Sequence, residues 1–193
     1  ASKHDAGNYF EGDIANLSLF NRVLSPEEIT RIYQAGLRTR ALYKSSGDLQ
    51  GWWTLDKDVS SSGDITDRSG KGRTGTFDNV GDRPSFSALT PALPISKASN
   101  TFDGAGNRIN IGDFARWENV YGLPSSGKIT FSSWFRPLSE GEGTAGRIID
   151  FFDDQILLST YTGGKIAFVV AYTGSDQYVR TSDSVFGDYS SPY

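Results

Sequence analysis

The chain has 193 residues, with 19 basic and 23 acidic side chains and a net charge of -4 at neutral pH. This balance does not supply the basic surface that charge-driven nucleic-acid binding requires. The absence of cysteine excludes disulfides, cysteine-ligated zinc and thiol catalysis. An aromatic content of 13% together with 22 glycines indicates short strands joined by turns, which is typical of all-β proteins.

The sequence also bears on membrane association and processing. No apolar run reaches the roughly 18 residues of a membrane span, and no signal peptide is recognisable. We therefore expect no membrane insertion. The chain begins at Ala1 without an initiator methionine, which favours an internal or processed segment.

A strand and a helix are the first elements predicted along the chain. The segment IANLSLF predicts a strand over residues 14–20, and SPEEITRIYQAG predicts a helix over about residues 25–35. Ser25 and Glu28 have the spacing of a capping box at the helix start. The predicted buried face of the helix consists of apolar residues at three-to-four spacing, Ile29, Ile32 and Tyr33.

Strands separated by turn residues follow a polar connector that ends near residue 48. The predicted strands are LQGWWTLD (49–56), TFDN (76–79), NTFDG (100–104), NRINIG (107–112), KITFSSWFRP (128–137), RIIDFF (147–152), QILLST (155–160), KIAFVVAY (165–172) and QYVRTS (177–182). Short strands at this spacing predict an antiparallel β-sandwich. The tail SDSVFGDYSSPY predicts neither a further strand nor a helix.

Several of these segments carry a resemblance to a known family. The motifs are GDLQGWWTLD followed by DRSGKGRTGTF, then NTFDGAGNRINIGD, and then KITFSSWFRPL. They resemble the opening strand, the first hairpin and the core strand of the laminin-G-like (LamG, pentraxin-type) branch of the concanavalin A-like lectin/glucanase superfamily. The resemblance covers most of residues 8–180. It implies an all-β fold, an antiparallel β-sandwich jelly roll with one short α-helix.

The order of the motifs implies an unusual domain organisation. YFEGDIANLSLFNRVLSPEEITRIYQAG resembles the family's terminal strand and helix, yet it precedes the opening motifs. We therefore expect residues 1–37 to be the closing strand and helix of one LamG-like unit, and residues 38–48 to be a linker. Residues 49–193 would then be the opening two-thirds of another jelly roll that lacks its last strands, as in a tandem array.

No catalytic set emerges from the sequence. Glycan-cleaving members of the superfamily use an E-x-D-x-x-E pattern of paired carboxylates, whereas here Glu11 and Asp13 are followed by Asn16. Asn16 also begins an NLS glycosylation sequon, which is a common chance match. His4 is the only histidine, and SGKGRTG (69–75) lacks the residue order of a phosphate loop. We predict that the chain is not an enzyme.

Calcium is the cofactor that the resemblance implies. In pentraxins an adjacent acidic or amide pair before a strand supplies calcium ligands, and Asp153 and Asp154 resemble that pair. Asp176 and Gln177 are predicted to assist them, since hard oxygen ligands from loops suit Ca²⁺. The alternative is a hairpin turn whose carboxylates are merely solvated.

The tryptophans provide candidates for stacking on sugars. Trp134 is central in an apolar strand and is predicted to lie in the core. Trp52 and Trp53 point to opposite sheet faces, so that at least one is expected in the core. Trp117 and Tyr121 lie in a predicted loop and are the candidate ligand-binding aromatics, with packing beneath the loop as the alternative.

The resemblance and the lack of a catalytic set together predict a role. We expect a non-enzymatic, surface-exposed binding or adhesion module of a larger repetitive protein on a cell, extracellular or virion surface. Its expected partners are a glycan or surface protein and neighbouring copies of itself. Two alternatives remain open. One is a structural repeat that builds a filament or lattice by strand complementation, and the other is an accessory module of a carbohydrate-active enzyme.

Overall fold

The computed structural model describes residues 7–35, 47–57, 59, 63–77, 79–93, 96–111, 129–151, 156–172 and 175–181. Within these residues the protein is mostly β-structure, with antiparallel strand pairs and a single α-helix. The elements in chain order are β1 (Glu11–Phe20), α1 (Pro26–Ala35), β2 (Leu49–Trp53), β3 (Ser85–Leu93), β4 (Ser96–Asp103), β5 (Thr130–Pro137), β6 (Arg147–Phe151), β7 (Ile156–Tyr161), β8 (Lys165–Tyr172) and β9 (Ser175–Arg180). Short 3-10 helices span Val80–Asp82 and Glu142–Thr144.

The β-rich class and the helix are confirmed, and three local predictions are wrong. The segments predicted as strands over residues 76–79 and 107–112 contribute only an isolated bridge between Thr76 and Asn110. Strand β3 is absent from the prediction because its sequence, SFSALTPAL, carries serine and proline turn signals. The segment forms a strand nevertheless, because its backbone pairs with β4, the next strand in the sequence.

The chain divides into two compact units. One unit comprises Ala1–Asp13, Phe102–Arg108 and Arg136–Tyr193, and the other comprises Ile14–Thr101 and Ile109–Phe135. The strands form a four-stranded sheet of order β6-β7-β8-β9 and a five-stranded sheet of order β2-β1-β4-β3, in which β5 also pairs with β1.

The four-stranded sheet is a meander in which each strand pairs with the next in sequence. Strands β7 and β8 pair without a break from Ile156 opposite Val170 to Tyr161 opposite Lys165. Residues 162–164 form the connecting turn, and its two glycines have φ values of 75° and 69°, which other residues rarely adopt. Each strand pairing in this sheet joins neighbours in sequence, which is why its strands are readable from the sequence.

Strand β1 lies in the interior of the five-stranded sheet. Its neighbours are β2, β4 and β5, and eight of its ten residues are buried. Burial on both faces explains why its apolar residues follow the two-residue period only in part. The segment that resembles a closing strand thus pairs with β2, the first strand after the connector, in the same chain.

Helix α1 docks through one position of its predicted apolar face. Ile32 is 8% exposed, whereas Ile29 and Tyr33 are 53% and 68% exposed, so the predicted buried face is wrong for two of its three residues. The helix covers a cluster of buried residues that it shares with its flanking strands, namely Phe20, Leu24, Ile32, Leu49 and Trp52.

A charged clasp fixes the start of α1. The backbone N–H of Ser25 donates to Glu28 Oε2 at 2.8 Å, and the N–H of Glu28 donates to Ser25 Oγ at 3.3 Å, which confirms the capping box. Arg22 donates to both carboxylate oxygens of Glu28 at 2.7 and 2.6 Å, and to Asp48 at 2.7 Å. The hydrogen bonds from Arg22 and then from the Ser25 N–H lower the pKa of Glu28 to about 2. The hydrogen bonds that Arg22 donates to Glu28 and then to Asp48 raise the pKa of Arg22.

We expect Glu28→Gln to remove part of the acid dependence of folding. The pKa of Glu28 is lowered in the folded state from an ordinary value of 4.5 to about 2, so its contribution to stability is present above pH 4.5. That contribution disappears as the pH falls from 4.5 toward 2. Urea unfolding at several pH values should show a shallower loss of stability for Glu28→Gln over this window. Glu142→Gln, at an exposed glutamate outside the clasp, is the control and should follow the wild type. Identical pH profiles for Glu28→Gln and wild type would contradict the role of the clasp.

Asp67 holds the glycine-rich loop against β2. One carboxylate oxygen accepts from the backbone N–H groups of Trp52 and Ser69 at 3.0 and 2.8 Å. The other accepts from the Ser69 hydroxyl at 2.8 Å and from the Arg73 N–H at 2.9 Å. The N–H groups of this loop therefore bind an internal carboxylate, and the interpretation of SGKGRTG as a turn is confirmed.

We expect Asp67→Asn to destabilise the protein by about 3 kcal/mol, because an amide NH₂ would replace an oxygen that accepts two hydrogen bonds. Urea unfolding measures this loss. Asp64→Asn, an exposed aspartate of the same segment, should change the free energy of unfolding by less than about 0.5 kcal/mol. Equal effects of the two substitutions would show that the Asp67 contacts are not what stabilises the loop.

Candidate functional site

The sequence-predicted site residues are described only in part. Four of the six lie outside the described residues, namely Trp117, Tyr121, Asp153 and Asp154. Asp176 and Gln177 lie on β9, where their backbones pair with Ala171 and Val170. The ligand-binding and calcium assignments therefore remain predictions.

The strand register places Gln177 in a row of paired residues. Phe151 pairs with Ile156, Ile156 with Val170, and Val170 with Gln177. At the usual spacing of neighbouring strands, β9 is about 10 Å from β7. Among the residues that the structure describes, no group of three or more His, Cys, Asp or Glu side chains is arranged to hold a metal ion.

The carboxylates of the EGD segment are engaged by separate partners. Asp13 is 4% exposed and accepts from Arg136 Nε at 2.8 Å. Glu11 accepts from the Ser139 hydroxyl at 2.6 Å. Each acid is therefore tied to a neighbouring polar side chain.

Three tryptophans and the sequon have structural roles. Trp52 and Trp53 are 2% and 1% exposed, which confirms that β2 places a tryptophan in the core. The indole of Trp52 donates to Asn16 Oδ1 at 2.6 Å, so the 1% exposed Asn16 of the sequon is a buried acceptor.

The prediction that Trp134 lies in the core is wrong. It is half-buried, like most of β5, and stacks on Tyr33 of α1, with ring centroids 5.4 Å apart.

A pocket next to β2 is a concave site that the described residues form by themselves. It encloses about 220 Å³. Buried aliphatic side chains of Leu55, Val59 and Ile65 form its apolar part. Its lining is completed by polar and small residues, Thr54, Asp56, Lys57, Gly63, Asp64, Thr66, Arg68 and Asn100.

Asn100 contributes a buried amide whose orientation is fixed. Its Nδ2 donates to the carbonyl oxygens of Leu55 at 3.0 Å and Lys57 at 3.3 Å. The side chain is fully buried, and its Oδ1 has no hydrogen-bond partner among the residues that the structure describes. A buried acceptor without a partner is rare and costs free energy. Oδ1 is shielded from solvent as well, so the role of Asn100 beside this pocket is to hold the chain at Leu55 and Lys57.

Sequence analysis missed this pocket, although one signal of it is present. In NTFDG, Asn100 and Phe102 are two residues apart on one strand, so they lie on the same face. Phe102 is 5% exposed, so its face of β4 is a core face. An asparagine on a core face is uncommon and marks a position with a specific polar partner.

The rim of the pocket carries charges of both signs. Asp56, Lys57 and Asp64 are exposed, and Arg68 donates through Nε to Thr54 Oγ1 at 3.3 Å. Two acidic and two basic side chains leave the rim without a net formal charge. Such a rim offers both donors and acceptors to a neutral polar ligand.

No family model, curated protein or solved structure matches the chain. The function is therefore argued from the chain's own residues. In the described part of the chain no helix is both long enough and apolar enough to cross a bilayer, and α1 has only 10 residues.

We expect Asn100→Ala to lower the free energy of unfolding by about 2 kcal/mol, because the Leu55 and Lys57 carbonyls would lose their donor. The adjacent Ser99→Ala is a matched control. The Ser99 hydroxyl is buried and has no partner among the described residues, so its removal should be neutral or stabilising. Chemical denaturation of both variants makes the comparison. A larger loss for Ser99→Ala than for Asn100→Ala would contradict the assigned contacts.

Proposed function

We propose that the chain is a non-enzymatic glycan-binding module of LamG-like jelly-roll architecture, displayed on a cell, extracellular or virion surface. The pocket beside β2 carries this proposal. It combines a wall of buried aliphatic side chains with an exposed rim that carries charges of both signs.

These features suit a carbohydrate residue. A sugar presents an apolar C–H face and hydroxyl groups that both donate and accept. Leu55, Val59 and Ile65 provide the apolar contact. Ligand sites typically combine such walls with a few placed polar groups, and the exposed residues Asp56, Lys57 and Asp64 are the polar groups here. The exposed rim gives the ligand access from solvent.

The family resemblance adds independent support. The motif residues have structural roles in the fold, as shown by the buried Trp52 and Trp53 on β2 and by the Asp67 carboxylate at the glycine-rich loop. The resemblance also motivates the proposal that Asp153 and Asp154, with Asp176 and Gln177, bind calcium. Trp117 and Tyr121 remain the proposed aromatic contacts with a ligand.

Assembly by strand complementation is the competing proposal, and one observation weighs against it. Strand β1 pairs with β2 of its own chain, with Leu17 opposite Trp53 and Leu19 opposite Gly51. The assembly proposal expects residues 8–36 to pack on another copy, whereas β1 is paired within its own chain. An accessory module of a carbohydrate-active enzyme would bind glycans through the same pocket. This alternative proposal differs only in the larger protein to which the module belongs.

A glycan array, screened with calcium and with EDTA, tests the proposed function. We expect binding to at least one glycan class, and Thr66→Trp should weaken that binding at least tenfold because an indole at the exposed rim would obstruct the pocket. Thr30→Trp, at an exposed position on α1, is the control and should bind as the wild type does. Loss of binding in EDTA would support the calcium proposal.

The same array experiment can also disprove the proposed glycan-binding function. Absence of binding to every glycan in both conditions would overturn the glycan proposal. Equal glycan binding by Thr66→Trp and the wild type would show that the glycan binds outside the pocket beside β2.

A further inference from the structure

We infer that the pocket beside β2 selects a zwitterionic sugar, one that carries both a carboxylate and an ammonium group. This inference rests on the proposed glycan-binding function and specifies the chemical class of its ligand. The observation behind it is that four charged side chains line one small cavity without pairing with one another. Two are basic, Lys57 and Arg68, and two are acidic, Asp56 and Asp64.

These four charges are not neutralised by one another. The ion pairs that the described residues form involve other side chains. Asp56, Lys57 and Asp64 are exposed, and the side chains of Lys57 and Asp64 have no hydrogen-bond partner among the described residues. Opposite charges in contact would largely cancel each other's field, whereas separate charges leave both signs open to a ligand.

Arg68 holds its guanidinium beside another residue of the pocket lining. Its Nε donates to Thr54 Oγ1 at 3.3 Å, and the Thr54 hydroxyl donates to Asp56. The two Nη atoms of Arg68 have no hydrogen-bond partner among the described residues, and they are not among the side-chain nitrogens shielded from solvent. They are therefore accessible donors. A guanidinium of this kind binds a carboxylate through two parallel hydrogen bonds.

The balance of signs favours a ligand that carries both charges. A carboxylate alone is attracted by Lys57 and Arg68 but repelled by Asp56 and Asp64, and an ammonium group alone meets the reverse. These effects oppose each other for a singly charged ligand and reinforce each other for a zwitterion. An exposed charge pair changes an affinity by about threefold, so two favourable pairs amount to about tenfold.

The size and wall of the cavity agree with one sugar residue. It encloses about 220 Å³, whereas pockets for drug-sized ligands hold roughly 300 to 1,000 Å³. The buried side chains of Leu55, Val59 and Ile65 form its apolar part. The C–H face of a sugar packs against this wall, and its ionic substituents stay at the exposed rim, where they avoid the cost of burying a charge.

Four methyl glycosides tested on the unmodified full chain examine the inference. They are those of 2-amino-2-deoxyglucuronic acid, glucuronic acid, 2-amino-2-deoxyglucose and glucose, which at about pH 6 carry both charges, a negative charge, a positive charge and no charge. Titration calorimetry or protein-observed NMR measures their binding. We expect the zwitterion to bind about tenfold more tightly than each of the others. Its advantage over glucose should narrow in concentrated NaCl, because salt screens exposed charges.

Two variants relate the charges of the ligand to the rim. Lys57 and Asp64 are exposed and have no side-chain partner among the described residues, so their substitution should leave the fold intact. Lys57→Gln should weaken binding of the zwitterion about threefold without weakening that of the amino sugar. Asp64→Asn should weaken the zwitterion to a similar extent without weakening glucuronic acid. Lys71→Gln, at an exposed lysine outside the pocket lining, is the matched control and should bind as the wild type does.

The outcomes separate this inference from the proposed function. Equal binding of all four sugars overturns the inference, because the charges of the rim would then not contact the ligand. Tightest binding of glucuronic acid or of the amino sugar overturns it in favour of a site for a single charge. An effect of Lys71→Gln equal to that of Lys57→Gln also overturns it. Binding of other glycans on the array without binding of the zwitterion overturns it and leaves the glycan function standing. Absence of binding to any glycan overturns both.

Discussion

Two buried indole N–H groups on β2 constrain the unit formed by residues 14–101 and 109–135. Each must find an acceptor, because a buried donor without one costs about 1–3 kcal/mol. Trp52 donates to Asn16 of β1, and Trp53 donates at 2.7 Å to the carbonyl oxygen of Arg73 in the glycine-rich loop. Asn16 has a φ of 55°, which asparagine adopts more readily than most residues. The tryptophan pair thus fixes the strand beside it and the loop that follows it.

The pocket is a consequence of this arrangement. The loop returns to β2 through the N–H of Arg68, which donates to the Trp52 carbonyl at 2.7 Å, and through the four hydrogen bonds of Asp67. Leu55, with a φ of 52°, turns the chain away from the end of β2. The Leu55 carbonyl accepts from Asn100 on β4, which closes the floor of the pocket. The lining of the pocket is therefore held by a strand and a loop whose backbone positions are fixed by hydrogen bonds.

The sequence predicted what depends on local pattern and missed what depends on distant partners. The strands β6–β9 and the capping box involve neighbours in sequence, and the sequence predicted each of them to within a few residues. The spacing of apolar residues on α1 could not show that only Ile32 meets a packed surface or that Tyr33 stacks on Trp134 about 100 positions away. The pairing of β1 with β2 and the orphaned oxygen of Asn100 likewise depend on nonlocal contacts that no local pattern encodes.

Two neighbouring residues of β4 show why the Asn100 oxygen differs from an ordinary packing defect. Ser99 and Asn100 each bury a side-chain oxygen without a partner among the described residues, so each carries a similar free-energy cost. Alternation along the strand directs the two side chains to opposite faces. Only the Asn100 side chain also makes hydrogen bonds, because its Nδ2 donates to the Leu55 and Lys57 carbonyls. Its unpartnered oxygen therefore accompanies a contact between β4 and the residues that follow β2. The Ser99 hydroxyl has no hydrogen-bond partner among the described residues, so no such contact offsets its burial.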